Sequence, residues 1–332
     1  MLDSALRRVL AGAGALFALA AVWFALQYYP VGGSGREVLV TVHPGDSMAV
    51  ISGELHQAGV LASPLAFRVL SALEGAPLVT PGVYEIRQGA TFGSIRSTLS
   101  DLPNVPQVSV TPGLTLREIA ATLAGDEGQS YATQFLAAAG AAAARSAYHP
   151  GASLEGLIGP GTYLLTPGLS PARLLAEMQT SFADEAGAAG LSPSSTLQGL
   201  NAYQLVIGAS IVEKEGYYAK NMPDVARVIL NRLARHMPLQ MDSTVLYALG
   251  LDGGTVTPAM LRTPSPYNSY LNLGLTPTPI CVVSATALSS MLHPPAGSWL
   301  YFVLIDKSGD MAFADTYAQQ LANEARAAKA GV

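Results

Sequence analysis

One residue pattern recurs four times between residues 40 and 174 and constrains the fold more than any other feature of the chain. It has an apolar residue or Tyr at its first position, an apolar residue at the third, Gly at the sixth, Ser or Thr at the eighth and an aliphatic residue at the twelfth. The copies begin at Val40, Tyr84, Val108 and Tyr163. Their hydroxyl residues are Ser47, Thr91, Thr115 and Ser170.

Each part of the pattern has a structural reason. Alternating apolar residues suit a half-buried strand, and Gly suits a tight turn. The hydroxyl can then accept a hydrogen bond from a free backbone N–H at the start of a helix. The pattern therefore predicts four strand–turn–helix units and an α+β fold. Because Pro-Gly followed by Ser or Thr is also a common way to enter a helix, the repetition does not require common ancestry.

The N-terminal segment contains an uncharged apolar run of 21 residues, Val9 to Tyr29. As a helix, this run would span roughly 30 Å of hydrocarbon. Arg7 and Arg8 precede it and the next positive charge is Arg36, which predicts a cytoplasmic N-terminus. A cleaved signal peptide is the alternative, but the run is long and lacks an Ala-x-Ala site after it. We expect residues 1–36 to form a cytoplasmic stub, a single-pass transmembrane anchor at residues 9–29 and a linker, with the remainder outside the cytoplasm.

Composition and charge narrow the function classes. The formal net charge is -5 and no run of Lys and Arg marks a phosphate-binding face, so we expect no nucleic-acid partner. The single Cys281 excludes an internal disulfide and a Cys-rich metal site. The five histidines form neither an HExxH motif nor a close pair, which disfavours a zinc hydrolase. We therefore expect neither a metal nor a cofactor.

The first copy of the pattern lies in the sequence VTVHPGDSMAVISGEL, which resembles the opening of a LysM module. The LysM family binds glycans that contain N-acetylglucosamine. The resemblance implies a LysM-like subdomain at residues 37–102, with glycan binding left open. Residues 101–106 (Asp-Leu-Pro-Asn-Val-Pro) are typical of a linker. Residues 103–150 are expected to form a connecting α+β region that includes an Ala-rich helix at residues 131–145.

The segment from Tyr203 to Gly216 is a dense apolar run that carries Glu213, Lys214 and Glu215 at its end. Its length predicts a helix that ends at Gly216, and its apolar circumference predicts that this helix is buried. Charged groups on a buried helix are costly unless they are paired or functional. Periodicity does not choose between the two glutamates. Gly208 lies about 20° from Glu215 around the helix, so we expect open space beside Glu215. An exposed helix end is the alternative.

Polar residues and tyrosines are concentrated after this helix, in residues 228–233, 237–250 and 262–280. Such side chains can bind sugars through hydrogen bonds and ring stacking. In the alternative reading, Asp242 and Thr244 cap a helix that begins at Val245, and residues 264–268 form an ordinary turn. The candidate substrate contacts are Glu213, Gln240, Asp242, Thr244, Tyr247, Tyr267 and Asn268.

The sequence elements ASIVEKE, ILNRL, MPLQ, TVLYALG, TPSPYNSY and YFV, in this order, resemble the MltG (YceG-like) family of endolytic murein transglycosylases. The resemblance implies a mixed α/β catalytic domain at residues 151–332. It also implies that the second Glu of the EKE element, Glu215, is the catalytic residue. The implied reaction is a lyase cleavage of the β-1,4 bond between N-acetylmuramic acid and N-acetylglucosamine in nascent strands, leaving a 1,6-anhydro end. The implied partners are peptidoglycan glycan strands, the cell membrane and the cell-wall synthesis machinery.

Three positions depart from the family pattern. Gly161 stands where the family usually has Asp, Ser243 stands where it usually has Pro, and residues 311–312 (Met-Ala) replace a common His. The first departure weakens a role for residues 158–163 in sugar contact. None of the three changes Glu215.

A single carboxyl group can perform the implied chemistry. Glycoside hydrolysis commonly uses two carboxylates, whereas in an anhydro-forming reaction the 6-hydroxyl of the sugar attacks, so one Glu can act first as acid and then as base. Burial would raise the pKa of Glu215 enough to keep it protonated. We expect Glu213 and Lys214 to be neutralised elsewhere, leaving Glu215 without a cationic partner. The rival hypotheses are a non-catalytic glycan-binding or divisome scaffold, and a serine hydrolase at Ser210. The latter lacks the closing Gly of the nucleophile elbow.

Overall fold

The structure is a computed structural model that describes residues 4–28, 35–141, 146–149, 151, 153–216 and 218–332, with only the backbone for residues 4–11, 20 and 26–28. The chain divides into two compact units. One consists of Met1–Pro106 with Leu164–Pro167, and the other of Gln107–Tyr163 with Gly168–Val332. Each unit combines helices with two-stranded sheets, so the predicted α+β class is confirmed.

The first unit contains two strands and four helices in its described part. Strands β1 and β2 pair antiparallel, with Val40 opposite Tyr84. Their inward side chains pack with apolar residues of the helices, including Leu55, Phe67 and Leu99. The elements are α1 (Ser4–Tyr28), β1 (Glu37–Val42), α2 (Met48–Gln57), α3 (Pro64–Glu74), β2 (Gly82–Arg87) and α4 (Phe92–Ser100).

The apolar run predicted as a transmembrane anchor, residues 9–29, falls largely on α1. Where side chains are described, no helix of the chain is both long and apolar enough to cross a membrane. Residues 29–34, which hold the end of the run and most of the predicted linker, lie outside the described residues. The anchor and its orientation are not confirmed and stay predictions.

The second unit contains the remaining elements. Helix α8 packs against α9, α10 and α11. In order, the elements are β3 (Gln107–Val110), α5 (Leu116–Asp126), α6 (Gln129–Ala139), β4 (Gly161–Leu164), α7 (Pro171–Ala188), β5 (Thr196–Leu197), β6 (Leu200–Asn201), α8 (Ala202–Glu215), α9 (Met222–Ala234), α10 (Asp242–Leu249), a 3-10 turn (Met260–Arg262), α11 (Ala285–Leu292), β7 (Tyr301–Leu304), β8 (Met311–Ala314) and α12 (Tyr317–Ala330).

The four-copy pattern forms the predicted strand–turn–helix unit each time. In every copy the hydroxyl residue is the N-cap of a helix, and its side-chain oxygen accepts a hydrogen bond from the backbone N–H three residues later. The turn glycines all have positive φ, from 70° to 90°, which a side chain would strain. The copies pair in sequence order, β1 with β2 and β3 with β4, so each pair forms one two-stranded sheet.

Two expectations for the first half of the chain need adjustment. Residues 101–106 are not a free linker, because the backbone N–H of Val105 donates to the carbonyl of Val83 (3.3 Å) and Asn104 Oδ1 accepts from the N–H of Glu85 (2.8 Å). The Ala-rich helix is α6, Gln129–Ala139; residues 142–145 of the predicted helix lie outside the described residues. The predicted LysM-like subdomain falls inside the first unit, and its glycan binding stays a prediction.

Candidate active site

The end of helix α8 carries the charged residues Glu213, Lys214 and Glu215. Asn201 caps its start together with Gln204, each side chain bonding the backbone N–H of the other residue. Apart from Gln204, residues 202–212 are buried, and the helix ends at Gly216. The predicted buried helix is therefore confirmed, and Glu213, Lys214 and Glu215 occupy its last turn.

The carboxylate of Glu215 lies at the first turn of α10. Its Oε1 atom accepts hydrogen bonds from the backbone N–H (3.1 Å) and the hydroxyl (2.6 Å) of Ser243. Within the described part of the chain, the hydrogen bonds to Glu215 all end on Oε1, which leaves Oε2 without a protein partner. Desolvation raises the pKa of Glu215 and outweighs the two Ser243 hydrogen bonds, which lower it. Glu215 thus holds its proton to a higher pH than an ordinary glutamate.

The cations near Glu215 are engaged by other groups. Lys214 pairs with Asp252 at 2.9 Å. The buried guanidinium of Arg232 donates to the carbonyls of Leu300 and Leu239, both at 2.6 Å. Arg232 lowers the pKa of Glu215 slightly through space, but no ion pair within 4.0 Å joins them among the described residues. The predicted pairing of Lys214 away from Glu215 is observed, and the lack of any cationic partner for Glu215 stays a prediction.

Glu213 points to a different helix. Its Oε2 atom accepts hydrogen bonds from the backbone N–H (2.9 Å) and the hydroxyl (2.6 Å) of Ser284. Ser284 is the N-cap of α11, and its hydroxyl also accepts from the N–H of Ala287. Glu213 is therefore held at the start of a helix, where negative charge is favoured.

Glu215 borders a cleft of about 420 Å³. The start of α5, the end of α8, one face of α10 and the glycine-containing loop after α10 form its walls. Among the described residues no group of His, Cys, Asp and Glu is arranged to hold a metal ion. The lining residues are Thr115, Arg117, Glu118, Glu155, Lys214, Glu215, Asp242, Ser243, Leu246, Tyr247 and residues 250–254.

A second buried carboxyl in this cleft, Glu155, is absent from the residues predicted from the sequence. Its side chain is 6% exposed. Oε1 accepts from the backbone N–H of Leu116 (3.1 Å), and Oε2 accepts from the hydroxyl of Tyr247 (3.2 Å). Burial raises the pKa of Glu155 to about 7. The sequence does contain one feature that could have indicated Glu155, because Glu155 is a lone charge in the apolar sequence SLEGLIG.

Two predicted substrate contacts besides Glu215 do line the cleft. Asp242 begins α10 and accepts a hydrogen bond from the hydroxyl of Tyr270 at 2.6 Å. Tyr247 lies one helical turn after Ser243, and its ring packs against that of Tyr267 with centroids 4.9 Å apart. The alternative of a helix starting at Val245 is wrong, because α10 starts at Asp242.

None of the other predicted contacts lines the cleft. Thr244 is fully buried, and its hydroxyl donates to the carbonyl of Met241. Asn268 is fully buried and donates to the carbonyls of Leu261 and Thr263, as in the ordinary-turn alternative. The hydroxyl of Tyr267 bonds that of Thr278, Gln240 is exposed with φ of 52°, and Glu213 contacts Ser284.

The open space expected at Gly208 does not exist. A Cβ atom at Gly208 would lie 2.5 Å from Cε of Met291 on α11. The glycine thus allows α8 and α11 to pack closely, and it gives no reason to prefer Glu215 over Glu213. The preference follows instead from the cleft, which Glu215 lines and Glu213 does not.

Ser210 is not placed to act as a nucleophile. It is fully buried, its hydroxyl donates to the carbonyl of Ile207 (2.8 Å), and it accepts from the N–H of Ile280 (3.0 Å). These contacts tie α8 to the segment before α11, which disfavours the serine-hydrolase alternative.

Comparisons with known proteins identify the family of the chain. The YceG-like family model matches residues 40–326. The chain is 29% identical over 306 residues to the endolytic murein transglycosylase of Bacillus subtilis, covering 85% of this chain and 82% of the relative. It is 29% identical over 317 residues to the enzyme of the same name from Streptococcus pneumoniae serotype 2, of which it spans 57%. The fold is similar to a crystal structure of a yceG-like protein from Listeria monocytogenes (TM-score 0.56, 25% identity, 87% of this chain and 99% of that chain).

Proposed function

The chain belongs to the YceG-like family, and from that premise we propose that it is a lytic transglycosylase that cleaves the glycan strands of peptidoglycan internally. Relatives at 28–29% identity over 85% of this chain carry the name endolytic murein transglycosylase. One observation carries the assignment of the reacting group. Glu215 is a desolvated carboxyl that lines the cleft, with one oxygen fixed by Ser243 and the other without a partner among the residues that the structure describes.

In the first step, neutral Glu215 donates its proton from Oε2 to the oxygen between N-acetylmuramic acid and N-acetylglucosamine. The bond from C1 of the muramoyl sugar to that oxygen breaks, and the N-acetylglucosamine leaves as an alcohol. Support comes from desolvation, which raises the pKa of Glu215 and so favours its protonated form. The two donors of Ser243 occupy Oε1, so the proton resides on the oxygen that is free to reach the substrate.

In the second step, Glu215 is a carboxylate and takes the proton of the 6-hydroxyl of the same muramoyl sugar. The O6–C1 bond forms, a 1,6-anhydro end results, and Glu215 is neutral again without any consumption of water. The carboxylate is stabilised in this step by the charge-assisted hydrogen bonds of Ser243 and by its position at the start of α10. Burial favours the acid and Ser243 favours the base, so one residue can serve both steps.

Product analysis tests this proposal. Uncrosslinked glycan strands are incubated with the protein in water labelled with heavy oxygen, and the new ends are identified by mass spectrometry. We expect anhydro ends that carry no label. Labelled reducing ends would show that water attacks and would contradict the second step. Strands that remain intact under all conditions would support the alternative of a non-catalytic glycan-binding or scaffold protein.

The cell-membrane location is a further part of the proposal. Its support is the apolar run at residues 9–29 with Arg7 and Arg8 before it. A reporter that is active only in the cytoplasm, fused after Val332, should give no signal. A strong signal would contradict both the orientation and access to peptidoglycan.

A further inference from the structure

Glu155 pairs with Tyr247, a residue of α10. Tyr247 lies on the same face of α10 as Ser243, the residue that binds Glu215. Ser243 and Tyr247 are four residues apart on α10, so their side chains share one face, about 6 Å apart along the helix axis. Ser243 holds Glu215, and the hydroxyl of Tyr247 contacts Oε2 of Glu155 at 3.2 Å. All four residues line the cleft. A sugar next to the one that reacts at Glu215 would therefore lie against Tyr247.

We propose that Glu155 is a positioning residue, which sets whether the phenol of Tyr247 donates or accepts a hydrogen bond toward the sugar in the cleft. The donating form binds the acetamido carbonyl oxygen of an N-acetylated sugar. This inference rests on the proposed function, since it requires a glycan in the cleft.

The hydrogen bond between Glu155 and Tyr247 has two states, one for neutral Glu155 and one for ionised Glu155. The backbone N–H of Leu116 always occupies Oε1, so the proton of neutral Glu155 resides on Oε2, which faces Tyr247. A carboxylate can only accept, so ionised Glu155 holds the single hydrogen of Tyr247 and leaves only an oxygen lone pair for a ligand. Neutral Glu155 donates to the phenol oxygen, and the hydrogen of Tyr247 is then free to be donated into the cleft.

The groups of the sugar differ in whether their binding to Tyr247 depends on the protonation state of Glu155. A sugar hydroxyl can donate or accept, so it binds to Tyr247 in either state. A carbonyl oxygen can only accept, so it needs Tyr247 as a donor. The acetamido carbonyl is therefore the group of the glycan whose binding depends on neutral Glu155.

The surroundings of Glu155 place its ionisation in the neutral range. Burial is the largest effect and raises its pKa to about 7, while Leu116, Tyr247 and Arg117 lower it and Glu118 raises it. Burial also raises the pKa values of Tyr203, Tyr247 and Cys281, so these neighbours stay neutral while Glu155 ionises. The charged groups that face Glu155 are Arg117 and Glu118 of α5.

The test measures KM and kcat on uncrosslinked glycan strands between pH 6 and pH 8. The neutral fraction of Glu155 falls about tenfold over this range, so KM of the wild type should rise about tenfold. In Glu155→Gln the amide donates to Tyr247 at every pH, and this rise should disappear. Tyr247→Phe should have a raised KM without the pH-dependent rise. Tyr148→Phe is the matched control, since its hydroxyl donates to the carbonyl of Leu191 and Tyr148 does not line the cleft; it should keep the wild-type rise.

Each outcome decides the inference. A rise of KM in Glu155→Gln equal to that of the wild type would overturn it. If Glu155→Gln does not fold, Tyr247→Phe decides, because a rise that persists without the phenol oxygen is equally incompatible. A rise that persists on strands whose acetamido groups have been removed would overturn the choice of the carbonyl as the sensing group.

Binding to a Glu215→Gln protein separates this inference from the proposed function. Calorimetry on that protein requires no turnover. Affinity that falls about tenfold from pH 6 to pH 8, with no cleavage by the wild type, would support the inference and contradict the proposed function. Cleavage to anhydro ends with a pH-independent KM and affinity would support the proposed function and contradict the inference about Glu155.

Discussion

The two glutamates at the end of α8 have the same local chemistry. Each binds one serine through both its backbone N–H and its hydroxyl, and each of these serines lies at the start of a helix. The distances are 2.9 and 2.6 Å for Glu213 on Ser284, and 3.1 and 2.6 Å for Glu215 on Ser243. Only Glu215 lines the cleft. Under the proposed function, the surroundings of the two carboxyls, and not their hydrogen bonds, distinguish the structural one from the reactive one.

Ser284 and Ser243 also differ in their positions within their helices. Ser284 is a helix N-cap whose hydroxyl also binds the N–H of Ala287, so Glu213 joins the end of α8 to the start of α11. Ser243 is the second residue of α10 and its hydroxyl donates to Glu215. Both contacts join α8 to another helix, but only the contact of Ser243 fixes one oxygen of a carboxyl that lines the cleft.

The largest effect that we predict is on cleavage by the two amide variants. Glu215→Gln retains size and polarity but cannot give and reclaim a proton, so kcat should fall by roughly 10²–10⁴-fold. Glu213→Gln should keep cleavage within about tenfold of the wild type, with any loss arising through stability. Rates are measured as anhydro ends formed per unit time, at a temperature where both variants are folded. A dead but well-folded Glu213→Gln beside an active Glu215→Gln would reverse the comparison.

A smaller effect is expected from the two serines. Ser243→Ala removes one donor to Glu215, so cleavage should fall roughly tenfold. Because the lost hydrogen bond favours the charged carboxyl, the pKa of Glu215 should rise and the alkaline limb of the pH–rate profile should move to higher pH. Ser284→Ala should lower the free energy of unfolding by about 1 kcal/mol through loss of the cap and leave that limb in place. An equal shift of the limb in both variants would show that the serines do not differ in role.

The smallest effects concern stability and should have opposite signs. Glu213→Gln loses a charge-assisted hydrogen bond and should be less stable by about 1 kcal/mol. The folded-state pKa of Glu215 is raised, so its contribution to stability is fully present below the unfolded pKa and is lost as the pH rises. Glu215→Gln should therefore match the wild type near pH 4 and exceed it at neutral pH. Urea unfolding at both pH values measures this, and a less stable Glu215→Gln at neutral pH would contradict the desolvation of Glu215.

The regular elements were predictable because their signals are local. The four strand–turn–helix units depend on residues within a dozen positions of one another, such as Val40 and Ser47. The buried helix that ends at Gly216 was predictable for the same reason. The pairing of Lys214 with another residue also followed, since a charge on a buried helix needs a partner.

The rest of the site depends on contacts between distant segments. Glu155 reaches the cleft from sixty residues before Glu215, and nothing next to it in sequence indicates its partner Tyr247. Gly208 was misread because the sequence does not reveal that Met291 fills the space beside it. Thr244 and Asn268 were misread because a polar side chain that satisfies a buried backbone group looks the same in sequence as one that binds a ligand.

Titration of the glutamate carboxyls tests the central claim most directly, namely that Glu215 and not Glu213 holds the reactive proton. The protein is labelled with carbon-13 in its glutamate carboxyl groups, and the NMR shifts are followed with pH in the wild type, Glu155→Gln, Glu213→Gln and Glu215→Gln. We predict two titrations above the ordinary range, one lost in Glu155→Gln and the other lost in Glu215→Gln, with both retained in Glu213→Gln. An elevated titration that persists in Glu215→Gln and disappears in Glu213→Gln would contradict the account.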